Sequence, residues 1–110
     1  MELSFFQTNS GNEPVRDYLR ALPKEERRFI GGWLRDIQRS GIDTAQVTTR
    51  HIEGKLWELK PDAHRIFYVL VSESGMVLLH AYKKQGQKAP RGEIETAKKR
   101  LNIVLEKDEP

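Results

Sequence analysis

Two apolar runs joined by a short polar turn lie in the middle of the chain: HRIFYVLVSESGMVLLHAY, residues 64–82. The first run is rich in β-branched and aromatic residues and apolar at successive positions, which is typical of a central strand covered on both faces. The polar SESG segment at 72–75 predicts a tight connection between two antiparallel strands. The sequence therefore predicts a β-hairpin as the centre of the fold.

Helical spacing is found on both sides of this hairpin. Apolar residues recur at i, i+3, i+4 and i+7 in two earlier segments, namely Val15, Tyr18, Leu19, Leu22 and then Ile30, Trp33, Leu34, Ile37. Such spacing forms one face of a helix. Gly41 predicts the end of the second helix, and the Gly31-Gly32 pair inside it predicts a close approach to another backbone. A third helix is expected to open at Pro90.

Short strands are expected at residues 3–6 and 56–60, whereas residues 41–54 are polar, without periodicity, and are expected to form a connector. The predicted order is β-α-α-β-β-β-α. This order is typical of an α+β domain with a small, mostly antiparallel sheet covered by helices. A length of 110 residues predicts one domain over 1–110, with a frayed tail at 106–110.

Composition excludes several classes of function. Cysteine is absent, which removes disulfides and thiolate chemistry and suits a cytoplasmic location. No apolar run is long enough to span a membrane and the first residues do not resemble a signal peptide, so no membrane partner is expected. The three histidines are not at metal-ligand spacing, and no glycine loop for phosphates occurs. Neither a metal nor a cofactor is expected.

The positive charge is concentrated near the carboxyl end of the chain. Residues 1–82 contain 11 basic and 11 acidic residues, whereas 83–110 contain 8 basic and 5 acidic residues, which gives the net charge of +3. Between Lys83 and Arg91 there are four basic residues and no acidic one. A local basic patch is typical of proteins that bind a phosphate-bearing partner.

Several residues around the hairpin are candidates for chemistry. Arg65 shares a strand face with core residues, so it either forms an ion pair with Glu58 or Asp62 or binds phosphate. His64 and His80 lie on strands, where each is either a proton-transfer group or a packing residue. Tyr82 or Trp57 is a candidate for stacking a base, and core packing is the alternative for both aromatic residues.

Three segments carry a resemblance to a known family: LWELKP at 56–61, RIFY at 65–68, and LLHAYKKQGQKAPRGEI at 78–94. Together with NEPV at 12–15, they resemble the HigB-like branch of the RelE/ParE toxin superfamily. The resemblance implies the toxin of a type II toxin–antitoxin system, which cleaves mRNA, often on the ribosome, and binds a helix-turn-helix antitoxin. Two positions depart from the family pattern, Gly86 and Ala89, the latter standing where threonine is usual.

The family's basic residues correspond to Arg65, Lys60, Lys83, Lys84 and Lys88 in this chain. The implied reaction is metal-independent attack of a ribose 2′-hydroxyl on its adjacent phosphate. Charge stabilisation is assigned to Arg65 with Lys84, and the base to Lys83, Lys84 or Lys60.

The proton donor to the leaving oxygen is expected to be His80, His64 or Tyr82. His64 is also a candidate for RNA binding, as are Lys88 and Arg91, which would contact flanking phosphates. Two alternatives stay open, a ParE-like toxin that targets gyrase and a catalytically silent antitoxin-binding module.

Overall fold

The computed structural model describes residues 1–86 and 90–108. Eight elements follow one another: β1 (Glu2–Phe5), α1 (Pro14–Arg20), α2 (Lys24–Ser40), β2 (Thr49–Glu53), β3 (Leu56–Leu59), β4 (His64–Ser72), β5 (Gly75–Lys83) and α3 (Arg91–Asp108). The strands form one sheet in the order β1-β5-β4-β3-β2. β1 pairs with β5 in parallel, and the other three pairings are antiparallel. The α+β class is confirmed, with a mixed sheet.

The predicted element order is wrong by one strand. β2 lies within residues 41–54, which the sequence predicts to be a connector. Four of its five residues are exposed, and its sequence, TRHIE, lacks the apolar alternation of a half-buried strand. β2 is an edge strand that depends on its backbone pairing with β3, which sequence periodicity does not report.

Alternating side chains of β4 serve two separate cores. Ile66 and Tyr68 pack with α1 and α2 through residues such as Val15, Ile30 and Ile37. Phe67 and Val69 pack with α3 through Ala97 and Leu101. The sheet is therefore covered by the α1–α2 hairpin on one face and by α3 on the other.

The glycines of α2 do not have the role that the sequence predicts. A Cβ on Gly32 would meet no atom within 4 Å, and one on Gly31 would meet only the Arg35 side chain, at 3.3 Å. The expected close approach of another backbone is therefore wrong. Gly41 does end α2, and its φ of 81° is a conformation that side-chain-bearing residues rarely adopt.

The carboxyl-terminal helix is longer than the sequence predicts. α3 continues to Asp108, so part of the tail expected to be frayed is helical, and 109–110 lie outside the described residues. Within the described part of the chain, no helix combines the length and the apolar character required to cross a bilayer.

Candidate functional site

Two rows of side chains lie side by side on the α3 face of the sheet. Directly opposed residues on antiparallel strands point to the same face. The first row runs across four strands through Arg50, Glu58, Phe67 and His80. In the second row Arg65 lies opposite Tyr82, and Lys60 follows Glu58 by two residues and so continues its face. The fold thus gathers acidic, basic and phenolic groups at one end of the sheet.

Arg65 is held by backbone carbonyl groups. Its side chain is buried, with 8% of the residue exposed, and Nη1 donates to the carbonyl oxygens of Asp62 at 2.6 Å and His64 at 2.8 Å. Asp62 adopts a positive φ of 58° in the turn that presents its carbonyl. Both bonds use Nη1, and among the described residues Nε and Nη2 have no hydrogen-bond partner. The guanidinium is therefore fixed while one edge is left for a ligand.

The structure bears on one of the two interpretations of Arg65, the structural ion pair. Among the described residues, Arg65 forms no ion pair within 4 Å with Glu58 or with any other carboxylate. Asp62 contributes its carbonyl oxygen and not its carboxylate. The structural ion pair considered from the sequence is therefore not formed.

Glu58 is the buried acid of this cluster. It is 2% exposed, and burial raises the pKa of its carboxyl group, although four surrounding cations act in the opposite direction. In decreasing order of effect, these cations are Arg65, Arg50, Lys60 and Lys84. Burial raises the pKa of this carboxyl group and the nearby cations lower it. A carboxylate whose pKa is set by such opposing effects has the properties expected of a proton acceptor.

Tyr82 belongs to the core cluster on the α3 face and is close enough to Glu58 to be affected by its charge. Its ring is stacked on Phe67, with centroids 5.8 Å apart and planes at 21°. Burial is the main reason that the pKa of Tyr82 is raised, the charge of Glu58 adds to it, and Arg65 opposes it. Like any tyrosine at neutral pH, Tyr82 carries a phenolic proton that it can donate.

His80 shares this face but both of its ring nitrogens are occupied. Nε2 lies 2.7 Å from Glu93 Oε2, and Nδ1 lies 3.1 Å from Arg100 Nη1. Because Arg100 can only donate, Nδ1 accepts and Nε2 carries the proton. Burial lowers the pKa of His80 despite its bond to Glu93. His80 thereby links α3 to the sheet.

His64 is placed on the other face of the sheet. It is 2% exposed, with Nδ1 2.6 Å from the Tyr18 hydroxyl and Nε2 2.8 Å from Glu26 Oε1. It therefore links the α1–α2 hairpin to β4. The His64 imidazole is therefore not brought together with the Arg65 guanidinium, which bonds to His64 through the backbone carbonyl.

The two adjacent lysines at the end of β5 also diverge. Lys83 is exposed and lies opposite His64, so it belongs to the α1–α2 face. Lys84 follows the strand, and its backbone N–H donates to the Ala63 carbonyl at 2.8 Å. Of the two, only Lys84 acts on the pKa of Glu58. The structure therefore groups Lys84, and not Lys83, with Arg65.

Of the remaining predicted residues, Arg91 and Trp57 lie outside this cluster. Arg91 is exposed at the first position of α3, and Lys88 lies outside the described residues. Trp57 packs against the core under α1 and α2, with its ring 4.8 Å from that of His51. It is therefore not available to stack a base beside Arg65.

Sequence reasoning missed two members of the site. Glu58 is considered from the sequence only as an ion-pair partner, although a lone acid in the apolar segment LWEL is itself a signal of chemistry. No local sequence pattern marks Arg50 as a member of the cluster, because it is placed opposite Glu58 only by the pairing of β2 with β3. The partners of His80, Glu93 and Arg100, also become visible only when α3 is packed on the sheet.

Comparison with known proteins identifies a family. Residues 17–102, more than three quarters of the chain, match the family described as Phage derived protein Gp49-like (DUF891). No curated protein matches the chain. This family is one of toxins from toxin–antitoxin systems, and it implies an antitoxin as partner. The chain therefore belongs to the Gp49-like family, within the RelE/ParE-type toxin superfamily.

Proposed function

We propose that this protein is a HigB-like toxin that inhibits translation by cleaving mRNA on the ribosome. The observation that carries the proposal is that a fixed guanidinium, Arg65, and a buried carboxyl group, Glu58, lie on the same face at one end of the sheet without forming an ion pair with each other. RNA cleavage without an external nucleophile requires a base, a stabiliser of negative charge and an acid. The cluster offers a separate group for each of these tasks.

Glu58 is the proposed base. It accepts the proton of the ribose 2′-hydroxyl as that oxygen bonds to the adjacent phosphorus, and the bond from phosphorus to the 5′-oxygen breaks. The products are a 2′,3′-cyclic phosphate and a 5′-hydroxyl end. Glu58 replaces the lysines expected from sequence, because a carboxylate accepts a proton without first having to lose one.

Arg65 and Lys84 are proposed to stabilise the developing negative charge on the phosphate, with Arg50 and Lys60 beside them. Tyr82 is proposed to protonate the leaving 5′-oxygen, since it carries a phenolic proton at neutral pH and lies opposite Arg65 in the sheet. His80 is left out of these steps because both its nitrogens are bonded.

Contacts with flanking phosphates stay a prediction for Arg91 and Lys88. His64 is left out of RNA binding because it lies buried on the opposite face. The proposed partner outside the reaction is a co-encoded helix-turn-helix antitoxin.

The test uses purified protein, translating ribosomes and one defined mRNA. The wild type is expected to produce 5′-hydroxyl ends in the presence of EDTA, and a 2′-deoxy nucleotide at the cut position should block cleavage. Arg65→Ala should lower the rate by about 10²–10³, the effect of one lost transition-state donor. Arg39→Ala, which changes an exposed arginine on α2, is the matched control and should cleave normally.

Two outcomes would overturn the proposal. Intact mRNA together with inhibited DNA supercoiling by gyrase would identify a ParE-like toxin. Intact mRNA together with tight binding of the antitoxin alone would identify a catalytically silent module.

A further inference from the structure

A groove runs along the outer side of α3, between this helix and the segment that follows β1. It consists of two adjoining cavities of about 370 and 380 Å³, which share the walls formed by residues 6–9 and Ile103. The α3 groove, as we call it, lies away from Arg65 and Glu58. None of its lining residues belongs to the proposed catalytic cluster.

The α3 groove has an apolar floor. Phe6, Val77, Ile103 and Val104 contribute to it, and Ile103 is 39% exposed. Ile103 is thus a large aliphatic side chain without full cover. An exposed apolar side chain in a concave surface is a typical anchor point for a partner.

The rim of the α3 groove is basic. Lys99 and Lys107 lie four residues before and after Ile103, so the three form one stripe along the helix. A separation of eight residues places the two lysines about 12 Å apart along the axis. Arg100 adds a third cation, and no aspartate or glutamate occurs among the described residues that line either cavity.

We propose that the α3 groove binds an acidic amphipathic segment of the antitoxin. An aliphatic side chain of that segment would contact Ile103 and Phe6, and carboxylates on either side would approach Lys99 and Lys107. The charge of the groove is complementary to such a segment and its floor supplies apolar contact area. The identity of the partner as the antitoxin rests on the proposed toxin function.

RNA is a poorer fit to the same surface. Binding of single-stranded RNA relies on aromatic rings that stack with bases. Phe6 is only 7% exposed, and the Arg100 guanidinium lies over its ring at 5.5 Å from the centroid. The exposed apolar group is an isoleucine, which packs against aliphatic side chains and provides no stacking surface.

The experiment measures the affinity of the full-length toxin for its full-length co-encoded antitoxin by calorimetry. Ile103→Asp should weaken binding at least tenfold, and the double variant Lys99→Glu with Lys107→Glu should do the same with a reduced dependence on salt. Lys55→Glu, at the exposed turn between β2 and β3, is the charge-matched control and should bind as the wild type does.

Cleavage of mRNA by the free variants is measured in parallel and should proceed at the wild-type rate. Unchanged affinity of both groove variants would overturn the inference. Normal antitoxin affinity with weakened binding to ribosomes or RNA would overturn it in favour of a nucleic-acid surface. Failure of the wild type to cleave RNA would refute the catalytic proposal alone, since weakened antitoxin binding would still support the groove.

Discussion

Replacing Glu58 by glutamine is expected to move activity and stability in opposite directions. The substitution keeps the shape of the side chain and removes its negative charge and its basicity. If Glu58 accepts the 2′-hydroxyl proton, cleavage should slow by about 10²–10⁴, the usual contribution of a general base. No other single change in the chain tests the proposed base as directly.

The effect on stability follows from burial. Because the pKa of Glu58 is raised in the folded state, the folded protein binds this proton more tightly than the unfolded chain does. Stability is therefore lost as pH rises from the ordinary range of glutamate through the raised pKa. At neutral pH, burial of the Glu58 charge lowers the free energy of unfolding of the wild type. The Glu58→Gln variant has no charge at this position and so avoids this loss.

The expected gain at neutral pH is on the order of 1 kcal/mol, because the surrounding cations offset much of the cost of burial. For a domain of this size that corresponds to a rise in Tm of about 4 °C. The pH dependence of Tm should become flatter in the variant. The rate of the wild type should rise with pH through the pKa of Glu58, and this acid limb should be absent from the residual activity of the variant.

The measurements are single-turnover cleavage and thermal unfolding between about pH 5 and pH 8. Glu2→Gln, on the exposed side of β1, is the control and should change neither quantity. A Glu58→Gln variant that cleaves at the wild-type rate would exclude Glu58 as the base. A lower Tm of the variant at neutral pH, with a wild-type Tm that falls as pH is lowered through the titration of Glu58, would show that the ionised carboxylate stabilises the fold, contrary to the reasoning from burial.

Three further outcomes are expected. Lys84→Ala should lower cleavage at least tenfold and Lys83→Ala should leave it near the wild-type rate, since the two lysines lie on opposite faces; equal losses in the same cleavage assay would contradict this geometry. Tyr18→Phe removes the hydroxyl bonded to a buried imidazole and should cost about 1–3 kcal/mol in denaturant unfolding. Gly32→Ala should stabilise the protein by about 0.5–1 kcal/mol, because alanine favours a helix and meets no neighbour there. Gly41→Ala should destabilise the protein, because Gly41 has a positive φ. Thermal unfolding of the two variants should show Tm changes of opposite sign.

The sequence predicts well those helices and strands whose apolar side chains recur at helix or strand spacing. The β4–β5 hairpin and the α1–α2 pair are apolar at strand or helix spacing, because each buries a face of its own. β2 has no buried face of this kind, and it forms because β3 offers a backbone partner. The prediction that Gly31 and Gly32 lie against another backbone is wrong for a related reason. A glycine in the sequence does not show whether another part of the chain packs closely against it.

The same distinction applies to the site. Alternation along β4 correctly places Arg65 on the face of Phe67, and it also places His64 on the opposite face. The candidate roles of His64 in proton donation and RNA binding are at odds with that alternation, which places it against Tyr18 and Glu26. Arg50 joins the site only through the pairing of β2 with β3, so no local pattern can reveal it.

Each of the two strand histidines connects a helical layer to the sheet. His64 connects one helical layer to the sheet through Tyr18 and Glu26, and His80 connects the other through Glu93 and Arg100. A histidine that transfers protons to substrate needs a free nitrogen, and each of these has both nitrogens bonded within the fold. The proposed mechanism therefore assigns proton transfer to Glu58 and Tyr82, which lie with the fixed guanidinium of Arg65 on the α3 face of the sheet.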